Sequence, residues 1–190
     1  PGIREIGFYL GLSDYWDLKV TGDFYMRGSL RTRVQSNYNI RYKGSGSVQL
    51  GYTRIQIDDK GTPNYDLQQS FNFSWSHAQS NKAHPSQSFT ASVNFGTSDY
   101  FQNTFNNADA VLQATFNSSI GYTKRFLGTP FSLSARVSHS QNTQSRVMTL
   151  NVPTLTFNMN QNFPFKRKNK VGKQRWYERI GLSYTMSGRN

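Results

Sequence analysis

The stretch WDLKVTGDFYM alternates between two chemistries: Trp16, Leu18, Val20, Phe24 and Met26 occupy every second position, with Asp17, Lys19, Thr21, Asp23 and Tyr25 between them. Successive side chains of a strand point to opposite faces, so this run predicts a ribbon with one apolar and one charged face. The scheme recurs. IGFYLGLS sets Ile6, Phe8, Leu10 and Leu12 against Gly7, Tyr9 and Gly11, and MRGS (26–29) makes a turn. LRTRVQSNYNIRY sets Leu30, Thr32, Val34, Ser36, Tyr38, Ile40 and Tyr42 against Arg31, Arg33, Gln35, Asn37, Asn39 and Arg41. In GSGSVQLGYTRIQI, Val48, Leu50 and Tyr52 oppose Gln49, Gly51 and Thr53, and LQQSFNFSWSH opposes Phe71, Phe73 and Trp75 to Ser70, Asn72, Ser74 and Ser76.

Four later runs repeat the pattern. Their apolar sides are Phe89, Ala91, Val93 and Phe95; Leu112, Ala114, Phe116, Ile120 and Tyr122; Phe131, Leu133, Ala135 and Val137; and Ile180, Leu182, Tyr184 and Met186. VMTLNVPTLTFNMN breaks phase, with Met148, Leu150 and Val152 in register before Pro153 and Leu155, Phe157 and Met159 after it. Proline cannot donate to a ladder, so a bulge at Pro153 that resets the pleat by one residue is the simplest account. Helical periodicity is almost absent. About ten strands joined by short turns and a few longer loops predict an all-β antiparallel meander.

The alternation alone leaves two solvents open. In a soluble sandwich the apolar face turns inward; in an outer-membrane barrel it meets lipid and the polar face encloses water. Run length discriminates: eleven residues at about 3.3 Å each reach roughly 36 Å, or roughly 25 Å of height at a tilt of about 45°, which matches the apolar band of such a barrel. Soluble strands more often have about five or six residues. The polar faces carry Ser, Thr, Asn, Gln, Gly and Arg rather than the Lys and Glu of a solvated sandwich. Trp16, Tyr42, Trp75, Tyr122 and Trp176 sit near run ends, where a barrel meets headgroups. The expectation is part of a large transmembrane outer-membrane β-barrel in the bacterial outer membrane, facing outer-membrane lipids.

Composition sharpens this. Hydrophobic residues are 35% of the 190, low for a dense core, while aromatics reach 15%, and 22 Lys+Arg against 10 Asp+Glu give +12. Such a charge points to an anionic partner or to a solvated basic surface. No apolar run approaches the ~20 residues of a membrane helix, so a spanning chain must span with strands. There are no cysteines, hence no disulfide framework or thiolate metal site within these residues. The chain starts without Met in strand-like alternation and stops just after another run, which is expected of one piece, 1–190, of a single barrel domain.

The candidate substrate path is the polar face of the second and third runs: Asp17, Lys19, Asp23, Arg31, Arg33 and Arg41. Planar, multidentate arginine suits phosphate or acidic sugar, although these charges could equally pair with one another. Gly7 and Gly11 weaken a strand interior, as a gate would need, or simply ease a tight curve. KRKNKVGK (166–173) is a basic loop that could meet phosphates or be solvated. Nucleic-acid binding is disfavoured because the basic residues of that loop and the arginines of the third run are not interleaved with aromatics on one surface. His77, His84 and His139 have no metal-ligand spacing and no nucleophile motif occurs, so neither a cofactor nor an enzyme is expected.

The succession GFYLGLSDYWDLKVTGDFYMRGS, FSWSHAQSNKAHPSQSFTASVNFG, LGTPFSLSARVSHSQNT and VPTLTFNMNQNFPFKRKNKVGKQRWYERIGLSYTMSGRN resembles the outer-membrane lipopolysaccharide-assembly family LptD, in its Bacteroidota form, over essentially the whole chain. The resemblance implies an early segment of a barrel of about 26 strands, preceded by a periplasmic jelly roll that receives lipopolysaccharide from bridge proteins and plugged by a lipoprotein, LptE. Neither the jelly roll nor the remaining strands are expected within 1–190. It also implies transport of lipopolysaccharide through the lumen and out by a lateral gate, with Gly7, Phe8, Tyr9, Leu10 and Gly11 on the gate strand. The patterning leaves two other functions open: a passive pore or small closed barrel, and a soluble basic sandwich that binds polyanions.

Overall fold

A computed structural model describes residues 2–26, 28–59, 61–97, 115–143, 145–167 and 175–188. They form β1 (Gly2–Ser13), β2 (Trp16–Tyr25), β3 (Leu30–Ile40), β4 (Gly44–Ile57), β5 (Asp66–Gln79), β6 (Gln87–Gly96), β7 (Thr115–Arg125), β8 (Phe131–Asn142), β9 (Met148–Asn162) and β10 (Leu182–Gly188), with one 3-10 turn at Trp176–Arg179. The strands make a single antiparallel sheet in sequence order, β1 to β10. The all-β meander expected from the alternation is what the chain adopts. Leu112, Ala114 and most of the 166–173 loop lie outside the described residues.

The turns follow local chemistry. Gly28 adopts φ +80° in the β2–β3 turn, where its N–H donates to Tyr25 O at 3.0 Å, a left-handed conformation glycine enters without a Cβ penalty. Tyr42 turns β3 into β4 at φ +65°, so β3 ends at Ile40 and the alternation through Arg41 and Tyr42 does not continue as strand.

Register keeps the two faces intact across the sheet. Leu10 faces Leu18 and Phe8 faces Val20; Val20 faces Val34, Val34 faces Leu50, Leu50 faces Phe73 and Phe73 faces Phe95. A one-residue slip at any seam would have mixed the faces, which is why a two-faced strand specifies its register strongly. The bulge expected at Pro153 is present. Arg136 pairs with Thr154 and Ser138 with Asn151, so β9 carries one extra residue opposite Val137, and Leu155 and Phe157 return to the apolar side against Ala135 and Leu133.

No second layer covers the apolar face among the described residues. Appreciable strand packing is confined to sequence neighbours, and among the described residues the only buried apolar ones are Ile55, Ala91 and Phe116. Phe8 is 55% exposed, Phe24 52% and Leu50 46%. A sandwich would hide these side chains between sheets. β1 and β10 are the two edges and do not pair with each other, so the ten strands form an open sheet, consistent with part of a barrel.

Candidate lumen wall and gate strand

The polar face is built by the same register. Across β2 and β3, Asp17 faces Asn37, Lys19 faces Gln35, Thr21 faces Arg33 and Asp23 faces Arg31. Both carboxylates are held. Asp23 Oδ2 lies 3.6 Å from Arg31 Nη1 in an ion pair whose side chains are only 13–14% exposed, and its Oδ1 accepts the Glu5 N–H at 2.7 Å. Asp17 Oδ1 accepts from Asn37 N–H at 2.8 Å and from Asn37 Nδ2 at 3.1 Å, with the Tyr9 phenol 3.5 Å from its Oδ2.

The cations divide. Lys19 and Arg33 are exposed and have neither an ion pair nor a hydrogen bond among the described residues. Because Lys19 stands opposite Gln35 and Arg33 opposite Thr21, they are diagonal neighbours on one wall, at a spacing of about 7–8 Å between backbones. With the acids tied down, the charge this wall offers to water is positive. Arg41 does not join it: it lies in the β3–β4 turn with its guanidinium 4.8 Å from the Tyr42 ring centroid.

A further cation was not singled out by sequence. Arg136 stands exposed on the same face, opposite Gly121 and Thr154. Its one sequence signal is an isolated charge in the small-residue run FSLSARVSH, where it interrupts uncharged polar positions.

β1 differs from the interior strands because all twelve of its residues are exposed and no described strand pairs with its outer edge. Its pairing with β2 is interrupted twice, between Ile3 and Ile6 and between Gly11 and Ser13, and Glu5 takes φ +57° in the first interruption. Phe8 and Leu10 lie on the apolar face; Gly7, Tyr9 and Gly11 lie on the polar one. The two glycines are unlike. A Cβ on Gly7 would run into the Val20 carbonyl and the Thr21 backbone, whereas one on Gly11 would meet open space. Gly7 therefore allows a close backbone approach that Gly11 does not need.

The basic loop is partly anchored rather than wholly solvated. Arg167 pairs through Nε with Glu178, which also accepts the Arg175 N–H at 3.1 Å and closes the 3-10 turn. Burial pushes the Glu178 carboxyl up, but the hydrogen bonds from Arg167 and Arg175 outweigh it and hold the group below the usual carboxylate range.

A family model described as LptD protein matches residues 1–190. The chain belongs to the LptD family. No curated protein compared with the chain matches it. LptD membership and the all-β antiparallel sheet together support an outer-membrane β-barrel with a role in lipopolysaccharide transport at the level of the family, one of transport proteins rather than enzymes.

Proposed function

We propose that this LptD-family chain forms part of the wall of a translocon that moves lipopolysaccharide into the outer leaflet, with the sugar and phosphate portion travelling along the polar face and the acyl chains leaving sideways past β1. The observation that carries this reading is the division of charge on one wall: Asp17 and Asp23 are occupied by Asn37, Arg31 and the Glu5 amide, while Lys19 and Arg33 are bare. Exposed cations on a watery wall attract a multiply phosphorylated headgroup without trapping it in a closed pocket. Glu5, Gly7 and the two pairing interruptions make β1 the least regularly paired strand on its side of the sheet, as a lateral opening requires. In this reading residues 1–190 belong to one barrel domain, a lipoprotein plug of the LptE type occupies the lumen, and bridge proteins deliver the lipid to a domain outside this segment.

The test is charge reversal. Lys19→Glu combined with Arg33→Glu in the full chain is expected to slow the appearance of new lipopolysaccharide on the cell surface severalfold while barrel abundance stays normal. Unchanged delivery with the doubly reversed wall would remove the assignment.

A further inference from the structure

The sheet is not equally sealed along its length. β6 stays with β5 to its end, where Thr97 N–H donates to Phe71 O at 3.0 Å, and β7 stays paired with β8 through Thr115 and Asn142. Between β6 and β7, however, the ladder stops at Ser92 and Ser119, although both strands continue beyond it. Side chains take over from the backbone there. Ser118 Oγ both accepts the Asn94 N–H and donates to the Asn94 carbonyl at 2.9 Å, and Gln141 Nε2 reaches across to the Gly96 carbonyl at 3.0 Å. Phe116 is fully buried in this region, its Cζ 3.2 Å from where a Cβ on Gly96 would sit.

On the apolar face this parting leaves a groove of about 290 Å³, walled by Val93, Phe95, Ile120, Val137 and Met148, with Ser118, Ser119, His139 and Gln141 as its polar members. We propose that the groove is a binding site for a single acyl chain of a bilayer glycerophospholipid. The proposal rests on the reading above that this face meets hydrocarbon. Three observations select the occupant. The groove opens on the face that carries Leu50 and Phe73, so its neighbours are lipid tails. Its surface is predominantly apolar, and of its polar side chains Ser118 and Gln141 bond to backbone and His139 Nδ1 to Ser118 Oγ at 3.3 Å, so the groove suits a hydrocarbon chain better than water. Among the described residues no lysine or arginine lines it. Lipid A carries its several acyl chains and its phosphates on one disaccharide and would be held by cations beside those chains, whereas a single phospholipid tail needs only the apolar walls.

The experiment places the full chain in nanodiscs of phosphatidylethanolamine and phosphatidylglycerol, with phosphatidylethanolamine bearing a diazirine at the end of one acyl chain, and maps photolabel by peptide. The expected result is severalfold more label on the segments containing Val93, Ile120 and Val137 than on those containing Val34 and Leu50, and loss of that excess in Val137→Trp, which fills the groove. Equal labelling of both regions would overturn the site while leaving the membrane-facing assignment intact; absence of label from both would overturn that assignment as well. An excess that survives in Val137→Trp, or that a diazirine-bearing lipid A probe reproduces more strongly than the phospholipid, would also overturn it.

Discussion

Gly46 shows how a single missing side chain organises its neighbours. It lies on the apolar face between Tyr38 of β3 and His77 of β5, and a Cβ there would run into the Tyr38 phenol and the Ser76 carbonyl. The space lets the Tyr38 ring lie across β4, where its oxygen accepts from Trp75 Nε1 at 3.3 Å and sits 2.7 Å from His77 Nδ1, with the two rings stacked at 5.8 Å. Aromatic cover of a sheet glycine both fills the gap and pins register. Tyr38→Phe, which keeps the ring and removes both hydrogen bonds, is expected to lower stability by about 1–2 kcal/mol. Gly46→Ala, which evicts the ring, is expected to cost about 1–3 kcal/mol and to disrupt the packing of Trp75 as well. Urea titrations of the refolded chain in lipid vesicles, followed by the heat-modifiable gel band, measure both. The sequence marked Trp75 and Tyr38 as apolar-face aromatics, but the role of Gly46 depends on a partner eight residues back in the adjacent strand, visible only once register is known.

Among the elements, the legible ones are those whose signal is local. Pro153 announced its bulge because the phase of the apolar positions changed on either side of it, and the pairing of Arg136 and Ser138 records that change. Arg41 misled because alternation continued through Tyr42, while the left-handed turn at that residue ends the strand earlier. The sign of the wall's free charge was equally hidden: Asp17, Lys19, Asp23, Arg31 and Arg33 alternate alike in sequence, and only cross-strand partners separate the held acids from the bare cations. The loop after β9 concealed its anchor for the same reason, since Arg167 and Glu178 are eleven residues apart and meet through a fold of the chain. Because the Glu178 carboxyl is held below its ordinary value of 4.5, its contribution is fully present above that pH and is lost as pH falls through the lower, folded value. In a variant whose only tryptophan is Trp176, emission is expected to stay constant from pH 7 to about 5 and to shift below it. Arg167→Ala should show the shifted emission already at pH 7, and a spectrum unaffected by both acid and that substitution would discard the anchor.

At the scale of the whole sheet, each face is a continuous surface that no single strand could define. The apolar band on β4 extends to Tyr52; beyond it Arg54 and Gln56 take the band's side, and Ile55 and Ile57 take the other, against Gln68 and Asp66. The same chain therefore reverses its polarity where the strands pass the end of the band, as expected of a hairpin that leaves hydrocarbon for water and headgroups. In the proposed barrel, hydrocarbon and water penalise charge on opposite sides of this sheet, which gives the lipid-facing assignment a paired test. Leu50→Arg and Phe73→Arg place a guanidinium in the middle of the apolar band and are each expected to destabilise the membrane-inserted state by about 2–4 kcal/mol. Gln49→Arg and Ser74→Arg, their sequence neighbours on the polar face, add the same charge and bulk beside water and are expected to change it by less than about 1 kcal/mol, because the charge keeps its hydration. Vesicle refolding yields and urea midpoints distinguish the pairs. Equal tolerance of all four arginines would mean that water solvates both faces, while destabilisation confined to the polar-face pair would invert the sheet, with the oily side chains turned inward and Lys19 and Arg33 turned to bulk solvent.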